Sequence, residues 1–131
     1  MPDAEHEETS PSAASLVISK LICSLVGQEQ AITILPGSLA AQAYQSGSAM
    51  EKFRCNYGLN PAYQEKILSG ALTVSGLDES GEVRIVELSG HPFFIATLFI
   101  PQLSSRPGAP HPLITAYLSA ALRCRLGAHW R

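Results

Sequence analysis

Few residues in this chain could act as nucleophile, base or metal ligand. They are Cys23, Cys55 and Cys124, and His6, His91, His111 and His129. No two of them share a spacing that ligates a metal, so neither a structural zinc site nor a cofactor is expected. Cys55, in the stretch FRCNY, is the candidate nucleophile. A cation beside a thiol lowers its pKa, and Arg54 is its sequence neighbour. In an extended strand, however, neighbours point to opposite faces, which carries Arg54 away from the sulfur. Cysteine is also among the most buried residue types and is then an inert small apolar side chain. Both readings of Cys55, reactive thiol and core residue, stand.

The histidines divide by context. His6, in AEHEE, could act as a base with Glu5 or Glu7, or lie solvated on an acidic arm. His91 and His111 each precede a proline at an element start, which points to turn geometry rather than catalysis. Arg106, in SRP, could bind an anion, and an exposed loop arginine is the plainer reading. The run FFIATLFIPQ, residues 93–102, reads as a buried strand delivering its end into a site. Yet Pro101 and Gln102 at that end offer no acid–base group.

These residues need elements to hold them. At 131 residues, with 46% hydrophobic and 15% charged, the composition fits one globular domain with a real core. The net charge of −2 gives no footprint for nucleic acid or an anionic membrane. Residues 1–15 carry Asp3, Glu5, Glu7 and Glu8 without Lys or Arg, and read as an acidic flexible arm before a domain at 16–131. That start lacks the basic and apolar regions of a signal peptide, and the three cysteines are scattered, so a reduced, cytoplasmic protein is expected.

Along the chain, β-branched residues favour a strand at 22–26, although the apolar spacing also fits a helix. ITIL suits a strand stopped by Pro36-Gly37, and Ser38 can cap a short helix at 39–45. Alternation of Phe53, Cys55 and Tyr57 against Lys52, Arg54 and Asn56 predicts a strand. Asn60-Pro61 opens a helix that runs to about Ser69. LTVSGL and EVRIVEL flank Asp78-Glu79-Ser80-Gly81 as a hairpin. Residues 93–100 do not alternate, which places them in the centre of a covered sheet. A helix starts at Pro112, with a stripe of Leu113/Ile114, Tyr117/Leu118 and Ala121/Leu122, and stops at Gly127. The order gives an α/β fold with a mixed sheet.

Taken together, EKFRCNYGLN at 51–60 and the segment from GALTVSGLDESGEV through HPFF (91–94), SRP (105–107) and HPL (111–113) resemble the C-terminal part of the glutamine amidotransferase domain of CTP synthase. The resemblance extends to LVGQEQAITILPGSLAAQAY. It implies a three-layer, flavodoxin-like amidotransferase fold, of which only the C-terminal portion is present. In the family a Cys attacks the glutamine side-chain amide, a His deprotonates the thiol, and a Glu orients the His.

The resemblance puts Ile100 and Gln102 at the positions of the family His and Glu. Isoleucine accepts no proton, and Gln does not balance an imidazolium charge. The family's nucleophile turn lies upstream of the matching region, and no G-x-C-x-G-like stretch occurs here. Cys55 stands where the family has a His, and Asn56 where it has an Arg that helps hold glutamine. Three expectations follow. The chain is a related protein without glutaminase activity, binding a small glutamine-like or nucleotide-related ligand through Arg54, Asn56, Tyr57 and Gln102. Alternatively Cys55 serves altered chemistry as nucleophile or redox group. Alternatively the chain is completed as a homodimer or by a partner chain that covers its sheet edge. No phosphate-binding G-x-x-x-x-G-K-[ST] loop is present, so ATP-dependent ligation is not expected of it.

Overall fold

The expected hairpin forms, and the larger sheet grows from it. In the computed structural model, which describes residues 1–127, strand β6 (Leu72–Asp78) turns into β7 (Val83–Leu88). Asp78 holds the turn: its Oδ1 accepts the N–H groups of Ser80 and Glu82, each at 2.9 Å. Around this pair, β3 (Glu29–Ile34), β4 (Ser48–Lys52) and β8 (Ile95–Thr97) complete a five-stranded sheet in the order β4-β3-β6-β7-β8. Every pairing in it is antiparallel. A second sheet joins β1 (Glu5–His6), β2 (Leu16–Lys20) and β5 (Tyr57–Leu59), with β1 parallel and β5 antiparallel to β2.

Three helices cover these sheets. Helix α1 (Leu39–Tyr44) is capped by Ser38, whose hydroxyl accepts from Ala41 N, and α2 (Pro61–Leu68) is capped by Asn60. Helix α3 (Pro112–Arg125) begins at Pro112, with His111 as its cap. Alternation on β7 separates the layers. Ile85 joins Ala40 of α1 and Leu113 of α3 in the main core, with Ile32, Ile34, Phe53 and Phe99. Arg84 and Val86 point the other way, towards Val17, Ile18 and Ile67 of the small sheet and α2. Helices, large sheet, and small sheet with α2 are thus the three layers of an α/β fold.

Several expectations are corrected here. Residues 22–26 are not a strand. The strand forms earlier, at Leu16–Lys20 with the β-branched Val17 and Ile18, while Ile22 is fully exposed and the chain turns through Gly27 at φ 75°. Only Leu25 of that segment enters the core. Residues 53–56 are not strand either, because the chain changes sheets there. Phe53 N donates to Gln28 O at 2.9 Å, and Leu21 N donates to Asn56 O at 2.7 Å. The expected alternation nevertheless holds in burial, with Phe53 and Cys55 inward and Arg54 and Asn56 exposed. Residues 93–100 are not a central strand. Only Ile95–Thr97 pairs, at the sheet edge, and Phe94 is 40% exposed. The run lacks alternation because Leu98 packs by Gly58, Phe99 enters the core, and Phe93 packs on Tyr117.

The segment expected as a flexible arm lies along β2. Glu5 N donates to Ser15 O at 2.9 Å, and the His6 ring packs on Tyr57 at 5.1 Å. Ser15 donates to the exposed Asp3 carboxylate, which holds its pKa below the ordinary value. His129 lies outside the described residues.

Candidate functional site

The end of β8 carries the two positions that the sequence singles out. Leu98 N donates to Arg84 O at 3.0 Å, after which the chain leaves β7. Ile100 N then donates to Lys52 O at 3.1 Å, which ties residue 100 to the end of β4. Pro101–Leu103 forms a single 3-10 turn, for which the fixed φ of Pro101 is suited. Ile100 is half-buried and Gln102 exposed. Pro101 and Gln102 line the end of an apolar groove of about 550 Å³ between β8 and α3, with Phe93, Leu113 and Tyr117 among its walls.

Cys55 is half-buried, and its Sγ donates to the carbonyl of Tyr57 at 2.9 Å. Among the described residues no histidine or carboxylate is hydrogen-bonded to it. Arg54 lines a different, polar groove of about 290 Å³ with Lys52, Glu29 and Leu103. Asn56 is exposed beside it in sequence, and Tyr57 lies on the opposite parity against His6. Of the residues expected to share a ligand, Arg54 lines the polar groove and Gln102 lines the one between β8 and α3. His91 Nδ1 accepts from Phe93 N at 3.2 Å, a turn role as expected. Arg106 is exposed and forms a small bridge with Ala109.

Sequence reasoning missed the buried polar cluster of the molecule. His111 Nε2 lies 2.7 Å from Glu51 Oε1, and the Tyr44 hydroxyl donates to the same oxygen. Leu113 N donates to His111 Nδ1 at 3.2 Å, so Nδ1 is the acceptor nitrogen and Nε2 the donor to Glu51. One side chain thus caps α3 and ties α3 to β4, while Tyr44 ties in α1. Burial, and then the Glu51 carboxylate beside it, raises the Tyr44 pKa well above its ordinary value. Glu51 shares the inward parity of Phe53, and an acid on a buried parity was the available signal. Glu51 and His111 are closed off from solvent, and with Tyr44 they tie β4, α1 and α3 together. A second buried acid, Glu87, accepts Leu39 N and Ala40 N at 3.0 and 2.8 Å and so anchors the start of α1.

Among the described residues, no group of three or more His, Cys, Asp or Glu is placed to hold a metal ion. None of their helices is long and apolar enough to cross a membrane.

Comparison with known proteins gives the lineage. No family model matches the chain. A CTP synthase of Synechococcus sp. (strain JA-3-3Ab) is 44% identical over 93 residues, 70% of this chain and 17% of that protein. A CTP synthase of Nostoc punctiforme is 34% identical over 136 residues, 93% of this chain and 24% of that protein. The chain therefore spans a quarter or less of the length of these relatives. The solved Trypanosoma brucei CTPS glutaminase domain with bound acivicin superposes with a TM-score of 0.84 at 26% identity. That match covers 93% of this chain and 52% of the other. By sequence and by fold, the chain is a relative of the CTP synthase glutaminase domain, to whose C-terminal part it corresponds.

Proposed function

We propose that the chain is a glutamine amidotransferase-like relative of CTP synthase that does not hydrolyse glutamine by itself. The observation that carries this reading is the pair Ile100 and Gln102 at the positions the resemblance assigns to the family His and Glu. A thiol needs a base to become a nucleophile near neutral pH, and neither side chain accepts a proton. The contact of Cys55 supports the reading: its sulfur donates to the Tyr57 carbonyl, and among the described residues no histidine or carboxylate is hydrogen-bonded to it. The relation to CTP synthases supports a role connected with pyrimidine nucleotide biosynthesis, and we set that role in the cytoplasm. The test is ammonia release from glutamine by the purified chain beside its Cys55→Ser variant. No release from either protein is expected. Release by the parent that disappears in the variant would overturn the reading and make Cys55 the nucleophile.

The polar groove supports a second, compatible reading. Lys52, Arg54 and Glu29 set two cations beside one carboxylate around about 290 Å³, chemistry that suits the carboxylate and ammonium of a small amino-acid-like ligand. A thermal-shift screen of amino acids against the chain and Arg54→Ala tests it. A shift kept by the variant, or the lack of any shift, counts against it.

A further inference from the structure

Cys23 and Cys55 are far apart in sequence, yet the backbone brings them to one crossing of the chain. Lys20 pairs with Tyr57, and Leu21 N donates to Asn56 O at 2.7 Å. Pairing resumes where Leu25 N donates to Cys55 O at 3.1 Å and Gly27 N to Phe53 O at 2.9 Å. Leu21 and Leu25 are thus bonded to consecutive residues. Residues 22–24 stand out between them as a loop with Cys23 at its apex. Cys23 is exposed and Cys55 half-buried, and both are free thiols. Cys23 is two residues from Leu25, a reach of at most about 7 Å. Leu25 in turn lies across a main-chain hydrogen bond from Cys55, which sets Cα atoms about 5.5 Å apart.

We propose that Cys23 and Cys55 form a reversible disulfide that clasps this crossing. The bond needs Cα atoms about 4.4–6.8 Å apart, which the exposed loop reaches by leaning towards Cys55. The oxidant is a small-molecule disulfide of the glutathione class. The Cys23 thiolate attacks one of its sulfurs, forming a mixed disulfide and releasing one thiol. The Cys55 sulfur then attacks Cys23, which forms the S–S bond within the chain and releases the second thiol. The proton that Cys55 gives up is the one it donates to the Tyr57 carbonyl at 2.9 Å in the reduced chain. Two thiols of the chain are oxidised and two sulfurs of the oxidant are reduced, so the exchange balances. Exposure sets the order, since Cys23 is the more open of the two. The clasp joins the segments that wall the polar groove, with Gly27 and Gln28 on one and Phe53 and Arg54 on the other. It stands whether or not that groove holds a ligand.

The experiment treats the whole reduced chain with oxidised glutathione and maps its peptides by mass spectrometry under non-reducing conditions. The expected product is lighter than the reduced chain by two hydrogens and yields a peptide pair joined through Cys23 and Cys55. Dithiothreitol should reverse it. The oxidised chain should melt at a higher temperature, with slower amide exchange at Leu21 and Leu25. In Cys55→Ser the reaction should stop at glutathione on Cys23. In Cys23→Ser, an exposed position where the fold should be kept, Cys55 should stay unmodified. Three outcomes overturn the proposal: glutathione on Cys23 of the parent with no cross-link, a cross-link through Cys124, or a bridge between two chains. The ammonia assay is run on the reduced chain and read separately, so either proposal can fail without the other.

Discussion

The His111 imidazole and the Glu51 carboxylate meet 2.7 Å apart in the core, although 60 residues separate them in sequence. Glu51 Oε2 is buried with no hydrogen-bond partner among the described residues, so the carboxylate depends on its other oxygen for partners. Removing the imidazole leaves a buried acid with only Tyr44 and also strips the cap from α3. Such losses cost roughly 1–3 kcal/mol for the hydrogen bond lost by a buried acid and about 1 kcal/mol for the cap. His111→Ala is therefore expected to lower the urea midpoint far more than Glu51→Gln, which keeps a neutral partner for both donors. Equal effects of the two substitutions would show that the pair is not the source of the stability.

Tyr44 gives the cluster an alkaline limit. Its pKa is higher in the folded chain than in the unfolded one, where it is about 10. The folded state thus holds the proton more tightly. Its contribution is complete below pH ~10 and declines as the pH rises beyond that value. The melting temperature should fall more steeply above this pH in the parent chain than in Tyr44→Phe. The variant should be the less stable of the two at neutral pH, having lost a bond to Glu51. Parallel pH profiles would exclude Tyr44 as the titrating group.

Helix α1 is six residues long, too short to persist on its own. Its first N–H groups are held by Glu87, which belongs to β7 and not to the helix. Charge-assisted bonds of this kind contribute roughly 1.5–3 kcal/mol each. Glu87→Ala should speed amide exchange across α1 and lower stability by a few kcal/mol, on the order of two such bonds. Glu87→Gln, which keeps one acceptor oxygen, should fall between.

Gly76 tests the bulge in β6. A Cβ there would sit 2.5 Å from Ile85 Cγ1, inside the core. Gly76→Ala is expected to cost about 1–3 kcal/mol by overpacking. Adding Ile85→Ala should then cost less than it does in the parent chain, because the two substitutions share one space. A double-mutant cycle in denaturant measures this coupling, and additive effects would place the strain elsewhere.

Local chemistry was legible where it acts locally. Ser38 and Asn60 cap the helices they precede, and the Asp78–Gly81 turn closes its hairpin as the residue types require. The parity of Phe53 and Cys55 against Arg54 and Asn56 was also readable, even though no regular strand carries it. What escaped depends on residues far apart in sequence. The 93–100 run looked central because it is uniformly apolar, but its residues are divided among a groove, a core and a second sheet. His111 was visible as a turn residue, and nothing nearby in sequence showed that its other nitrogen meets Glu51. The ligand candidates were chosen by position along one strand. At 53–56 the chain changes sheets, so no single strand carries them.

Ile100 retains the main-chain tie to Lys52 while presenting a side chain that cannot carry a proton. On the proposed reading, this is the address of the family His. Returning an imidazole to that address is one substitution, Ile100→His, and the same backbone bond would hold it. A carboxylate behind it is one more, Gln102→Glu. Neither change produces turnover without a thiolate within reach, and Cys55 is bonded to the Tyr57 carbonyl instead. On that reading, each substitution alone is silent until all are in place. The backbone tie to Lys52 would then hold the strand end in place whatever side chain stands there.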